Sequence, residues 1–243
     1  MPLYRDVGVV VRTHKLGETD RIITIVTQDS GKVRAVAKGV RKPGSRFGSR
    51  LEPLSHVQVQ LYRGRNLDVV NQVELVEIAN SLRSNLEATT DGLAMCEVVE
   101  QLAHDREPSP HLYRMLVGAL RQLNSVFSPL VLPALQLRLL AAEGVGPCVD
   151  QCIVCGTRDD LCAFDIVAGG VQCRTHKRGL AVSGEAMKIV QSILDGRVAV
   201  VLQRAEIPTV VVREVMDLAR AAMEHHLERR IRSSSLFKAP QAG

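Results

Sequence analysis

A chain of 243 residues, 46% hydrophobic and with a mean hydropathy of +0.05, can fill one large core or two modest ones. No apolar run approaches the roughly 18 residues a membrane span needs, and "MPLYRDVGVVVRTHKLGE" lacks the basic, apolar and small-residue order of an export signal, so the expectation is a cytoplasmic protein away from any membrane. The net charge of +5 is unevenly spread: residues 1–65 hold thirteen Lys/Arg against five Asp/Glu, a balance of +8, and the remainder carries −3, a segregation that suits a polyanionic partner better than a merely solvated surface.

In chain order, the first eighty residues read as strands. "GVVVRTH" (8–14), "RIITIVT" (21–27), "KVRAVAK" (32–38), "HVQVQLY" (56–62) and "LDVVNQVELVE" (67–77) are short, rich in Val and Ile, and partly alternating. "QDSG" (28–31) and "RGRN" (63–66) suit hairpin turns, and "GVRKPGSRFGSRLEP" (39–53) is a basic Gly/Pro/Ser-rich loop with room for a short helix. Five such strands with a long third connection predict a small closed barrel of the oligonucleotide/oligosaccharide-binding (OB) type, so the fold class is α+β. After Asn80 the apolar spacing becomes helical over 84–104, 112–127, 128–144, 183–196 and 209–231, with Gly144 and Gly196 as stops and Ser183 or Gly184 as a start. The division expected is 1–80 as an OB-fold and 81–243 as a helical domain, with an inserted module at 147–180 and C-terminal helices at 183–231.

That module carries "CIVCGTRDDLCAFDIVAGGVQCRTH" (152–176). Cys152-x2-Cys155 and Cys173-x2-His176 are separated by seventeen residues, the spacing of two knuckles facing each other across a folded-back ribbon. Gly156, Gly169 and Gly170 permit the reversals. Four protein ligands close the coordination sphere, so one structural Zn2+ is expected, holding the chain rather than doing chemistry. A redox CxxC would open a helix after a strand, which the "TRDD" turn does not suit. A zinc deaminase would need H-x-E upstream, and none occurs. Cys148 or Cys162 in place of His176 stays open at this point, while Cys96 reads as a core thiol. His225-His226 is a metal pair only in name, because adjacent helical residues point in different directions.

For a polyanion, the candidate contacts are Lys38, Arg41, Lys42, Arg46 and Arg50 in the long loop, where glycines let backbone amides approach phosphates. Arg12, Lys15, Arg21, Lys32, Arg34, Arg63 and Arg65 come from strands and tight turns around it. Only Tyr4, Phe47 and Tyr62 supply aromatic rings, so binding is expected to rest on phosphate neutralisation rather than base stacking, with steep salt dependence. A protein that screens backbones and leaves bases free would favour annealing of complementary strands. No paired carboxylates, nucleophile–base constellation or Walker-type loop is evident, so no catalytic residues are assigned.

The segments "GETDRIITIVTQDSGKVRAVAKGVRKPGSRFGSRLEP" (17–53), "YRGRNLDVVNQVEL" (62–75), "CIVCG…GGVQCRTH" and "HLERRIRSSSLF" (226–237) together resemble the RecO family of bacterial recombination-mediator proteins, essentially end to end. The resemblance implies DNA repair: an N-terminal OB-fold, a helical domain, a zinc module in many members, binding of single- and double-stranded DNA, strand annealing, and work with RecR, in some systems RecF, to load RecA onto strands covered by single-stranded-DNA-binding protein. It implies the basic strands and loop as the DNA face, and Cys152, Cys155, Cys173 and His176 as the metal site, although many relatives carry Cys where His176 stands. The alternative from another class is a protein-docking adaptor with little DNA affinity of its own. A partner groove with a basic rim would fall near Arg114 and Arg121, or near Arg213 and Arg220.

Overall fold

The computed structural model describes residues 2–45, 47–77, 80–204 and 206–233. Strands β1 (Leu3–Leu16), β2 (Asp20–Thr27), β3 (Lys32–Ala37), β4 (His56–Tyr62) and β5 (Asp68–Glu77) close into a barrel in the order β1-β2-β3-β5-β4. All pairings are antiparallel except the short parallel one between β3 and β5. The five expected strands are present, but β1 extends beyond the apolar run at both ends. Its N-terminal half pairs with β4 and its C-terminal half with β2, and a register shift between Val10 and Arg12 bends it from one to the other. Alternation explains the filling: Val10, Ile23, Ile25, Val33, Ala35, Val57, Val59 and Leu61 point inward. The long loop adds a plug, because its 3-10 turn (Gly48–Leu51) brings Phe47 and Leu51 into the same core.

Helices α1 (Asn80–Ser84), α2 (Leu86–Leu102) and α3 (Pro110–Ser125) follow. Asn85 caps α2 by accepting from the Ala88 amide, and Pro110 opens α3. The loop between them is laced to β3, the Lys32 amide donating to the His104 carbonyl and the Arg106 amide to the Lys32 carbonyl. Asp68, fully buried, ties the same loop to the barrel by accepting from Arg106, Tyr4 and the Gly64 amide. The described residues form two compact units, those within 1–126 together with 232–233, and those within 127–231. The last barrel strand ends at Glu77 and the first helix starts at Asn80, and compactness groups α1, α2 and α3 with the barrel.

The second unit contains α4 (Val131–Ala142), a three-stranded sheet of β6 (Leu161–Asp165), β7 (Gly170–Cys173) and β8 (Leu180–Ala181), and helices α5 (Gly184–Leu194), α6 (Val198–Leu202) and α7 (Thr209–His226). As expected from its apolar circumference, nearly all of α4 is buried. Ser183 caps α5, accepting from the Ala186 amide. Phe164 and Val171 of the sheet join Leu137, Ile189, Val190, Val215 and Leu218 of the helices in one core, so the small sheet is an integral wall of this unit. The last helix stops at His226 rather than at 231, where Glu228 takes a left-handed backbone.

Candidate metal centre and nucleic-acid interface

The candidate metal centre is assembled from two turns. In the first, the Gly156 amide donates to the Cys152 carbonyl and the Cys152 amide to the Thr157 carbonyl, a reversal that places Gly156 at φ +74°. In the second, β7 ends at Cys173 and a 3-10 turn (Arg174–His176) swings His176 back. The turns are joined by hydrogen bonds from the Ile153 amide to the Val171 carbonyl and from the Arg174 amide to the Asp160 carbonyl. Gly170 is required by packing, since a Cβ there would lie 2.3 Å from a methyl of Ile153.

These turns bring one donor atom each from Cys152, Cys155, Cys173 and His176 within 4.8 Å of one another. Cys155 Sγ lies 3.9 Å from Cys173 Sγ, and His176 Nδ1 lies 3.3 Å from Cys173 Sγ and 3.8 Å from Cys152 Sγ. A tetrahedron with metal–sulfur bonds of about 2.3 Å has edges of about 3.8 Å, so the donors stand where such an ion needs them. Burial opposes ionisation of Cys152, but the amides of Cys173, Cys155 and Val154 aimed at its sulfur prevail and bring the thiol to about 6. The Cys173 and Cys152 sulfurs raise His176 in turn. Four mutually supporting donors of this kind can hold a metal ion. All six cysteines are free thiols; Cys148 and Cys162 lie outside the group, and buried Cys96, whose thiol burial raises to about 12, sits in the core. His225 and His226 line a cavity of about 400 Å³ beside Pro147 and Phe164 and join no ligand group among the described residues.

The sequence-predicted cations fall into separate places. At one end of the barrel, the loop after β3 is sewn onto the β1–β2 turn: the Gly39 amide donates to Asp20 (2.8 Å), the Arg41 amide to the Thr19 carbonyl (2.9 Å), and the Arg41 guanidinium to the Glu18 carbonyl (2.9 Å). Lys15, Lys38, Arg41 and Lys42 are therefore exposed on one rim, none of them in a carboxylate ion pair among the described residues. Arg50 is exposed on the 3-10 turn, and Arg46 lies outside the described residues. Arg34 projects from the outer face of β3, in the row Arg12–Thr24–Arg34.

Three others are occupied. Arg12 pairs with Glu100 of α2 at 2.7 Å, Lys32 with Asp105 at 3.4 Å, and Arg21 with Glu52. Their charge is spent inside the unit, and sequence spacing gave no sign of it because the carboxylates lie thirty to ninety residues away. Arg63 and Arg65 belong to the β4–β5 turn, where Arg63 stacks over Tyr4, at the opposite end of β1 from the rim. Arg5, counted in the charge balance but not singled out, is exposed on β1 opposite Gln60. Phe47 is 2% exposed, so its ring faces the barrel core and not a base. Of the suggested partner grooves, Arg121 is engaged by Glu77 and Arg220 by Asp217 and Glu224, while Arg114 and Arg213 are exposed. No described helix is long and apolar enough to cross a membrane.

Two family descriptions match the chain. The one for "Recombination protein O N terminal" matches residues 1–79, and the one for "Recombination protein O C terminal" matches residues 83–235.

Proposed function

The chain belongs to the RecO family and has its role in DNA recombination and repair, and from that premise we propose that it is a non-catalytic mediator that binds DNA through the barrel and anneals complementary single strands. The observation that carries this reading is the rim of exposed, unpaired cations, Lys15, Lys38, Lys42 and Arg41, fixed by the stitching of the loop to the β1–β2 turn. Cations fixed in place neutralise phosphates at a smaller entropic cost than cations on a free loop. With Phe47 buried, the rim offers no described aromatic ring on its loop for a base to stack on, so bases stay available for pairing. Arg34, Arg50, Arg63 and Arg65 extend the contact, with Arg46 as a further candidate; Arg12, Arg21 and Lys32 contribute by holding the barrel together.

Within this reading, residues 1–80 supply the DNA-binding domain and 81–243 the helical domain. The ion at Cys152, Cys155, Cys173 and His176 is Zn2+, selected by three thiolates and an imidazole in a closed set. Its contribution is order, on the order of 10 kcal/mol for structural sites of this type. The protein acts in the cytoplasm, at the nucleoid, on single- and double-stranded DNA, with RecR, and in some systems RecF, as partners, and helps load RecA onto strands coated by single-stranded-DNA-binding protein. The test is annealing of two complementary oligonucleotides by purified protein, with zinc content measured alongside. Accelerated annealing at low salt that fades as salt rises, from protein holding about one zinc per chain, is the expected result. DNA affinity too weak to follow, with the fold and zinc intact, would favour the adaptor reading.

A further inference from the structure

The second unit is electrically neutral, with twelve Lys/Arg and twelve Asp/Glu over 127–231. Its charges are not evenly mixed. Between Asp165 and Glu185 the chain has no carboxylate and three cations, Arg174, Lys177 and Arg178, all within five residues of one another around His176. All three side chains are exposed and none forms an ion pair among the described residues. Other arginines of the same unit are put to structural use: Arg138 donates to the Leu194 carbonyl at 2.8 Å, Arg197 pairs with Asp195, and Arg220 pairs with Asp217. Asp159 and Asp160 are exposed on the facing turn, and neither carboxylate forms an ion pair with these cations among the described residues. The segment is held at both sides, by the Arg174 amide on the Asp160 carbonyl (3.0 Å) and by the Arg178 amide on Gln172 (2.8 Å). Short-range anchoring by the two ligands Cys173 and His176 adds to this.

We propose that Arg174, Lys177 and Arg178 form a second phosphate-binding surface, by which the metal-anchored turn of the helical region grips the sugar–phosphate backbone of DNA. This rests on the DNA-binding reading above and extends it to a part of the chain whose cysteines would otherwise have only a folding role. Rigid presentation is what the metal supplies: three long side chains rooted in a five-residue turn meet consecutive phosphates without first having to order the backbone. A competing role for the same cations is to offset the net negative charge that three thiolates leave around a divalent ion. The two roles differ in what the cations touch, so they separate experimentally.

The experiment measures affinity for a short single-stranded oligonucleotide across a salt series, with zinc content, for the full chain. The variants are Arg174→Gln/Lys177→Gln/Arg178→Gln and, at the barrel, Lys38→Gln/Arg41→Gln/Lys42→Gln. Each phosphate contact contributes about 0.7 to the slope of log affinity against log salt, so the knuckle variant should lose about 2 from the slope while keeping its zinc. Wild-type slope and affinity in that variant would overturn the proposal, whether zinc is retained or lost. If the triple change prevents folding, Lys177→Gln/Arg178→Gln, which leaves the residues between the ligands intact, should lose about 1.4, and an unchanged slope there overturns the proposal equally. A normal loss in the barrel variant beside an unchanged knuckle variant removes this inference alone; absence of DNA binding by the wild type removes both.

Discussion

At the scale of single residues, side-chain burial separates roles that the sequence leaves merged. Phe47 sits among basic residues and reads as a possible stacking ring, yet it fills the barrel beside Leu51 and Val73. Phe47→Ala should therefore cost about 3–5 kcal/mol in a denaturant titration; a variant as stable as the parent but poor in DNA binding would contradict its place in the core. His56 is a second such case. Its Nε2 meets the Tyr113 hydroxyl at 2.8 Å, its Nδ1 lies 3.8 Å from Glu77, and Arg121 pairs with the same Glu77. Burial, aided by Arg121, outweighs Glu77 and depresses the imidazole below 6.5. The unfolded chain then binds the proton more readily than the folded one, so stability should fall as pH drops through 6.5 toward the depressed value. Melting between pH 7.5 and 5 checks this: His56→Gln should flatten that part of the curve, and an undiminished slope would place the titrating group elsewhere.

At the scale of elements, the convergence of the four candidate metal ligands was legible because knuckle spacing is local chemistry: two x2 turns either converge or they do not, and glycines at 156, 169 and 170 mark the reversals. The barrel strands were legible for a similar reason, inward Val and Ile alternating with polar residues. The bend in β1 was not, because a one-residue register shift among three consecutive valines leaves no periodic trace. β6, β7 and β8 were hidden inside the cysteine segment, where metal spacing dominates the pattern, and the five-residue helices α1 and α6 are too short to show a helical period. The loop after β3 depends on a contact across nineteen residues, the Gly39 amide on Asp20, which also holds that carboxylate below its usual range. This gives a prediction that runs against net charge. Removing a negative charge near a DNA site should tighten binding, so Asp20→Asn, which keeps an acceptor, should bind DNA at least as well as the parent. Asp20→Ala loses the stitch and should bind more weakly. If both variants bind more tightly in an equilibrium titration, the loop is not positioned by Asp20.

At the scale of the whole molecule, a lopsided charge balance becomes something more particular once the ion pairs are known. Arg12, Arg21 and Lys32 leave the free positive field by pairing with Glu100, Glu52 and Asp105, and what remains is divided between the rim with Lys15, Lys38, Arg41 and Lys42, the strand faces with Arg5 and Arg34, and the β4–β5 turn with Arg63 and Arg65. Family membership fixes the setting as recombination and repair; the free cations are what connect that setting to a physical act. The most direct test is the salt dependence of single-strand binding for the parent and for Lys38→Gln/Arg41→Gln/Lys42→Gln. The account predicts a steep fall in log affinity with log salt for the parent and a slope shallower by about 2 in the variant, one share for each phosphate contact removed. Equal slopes for the two proteins, or binding indifferent to salt, would contradict it.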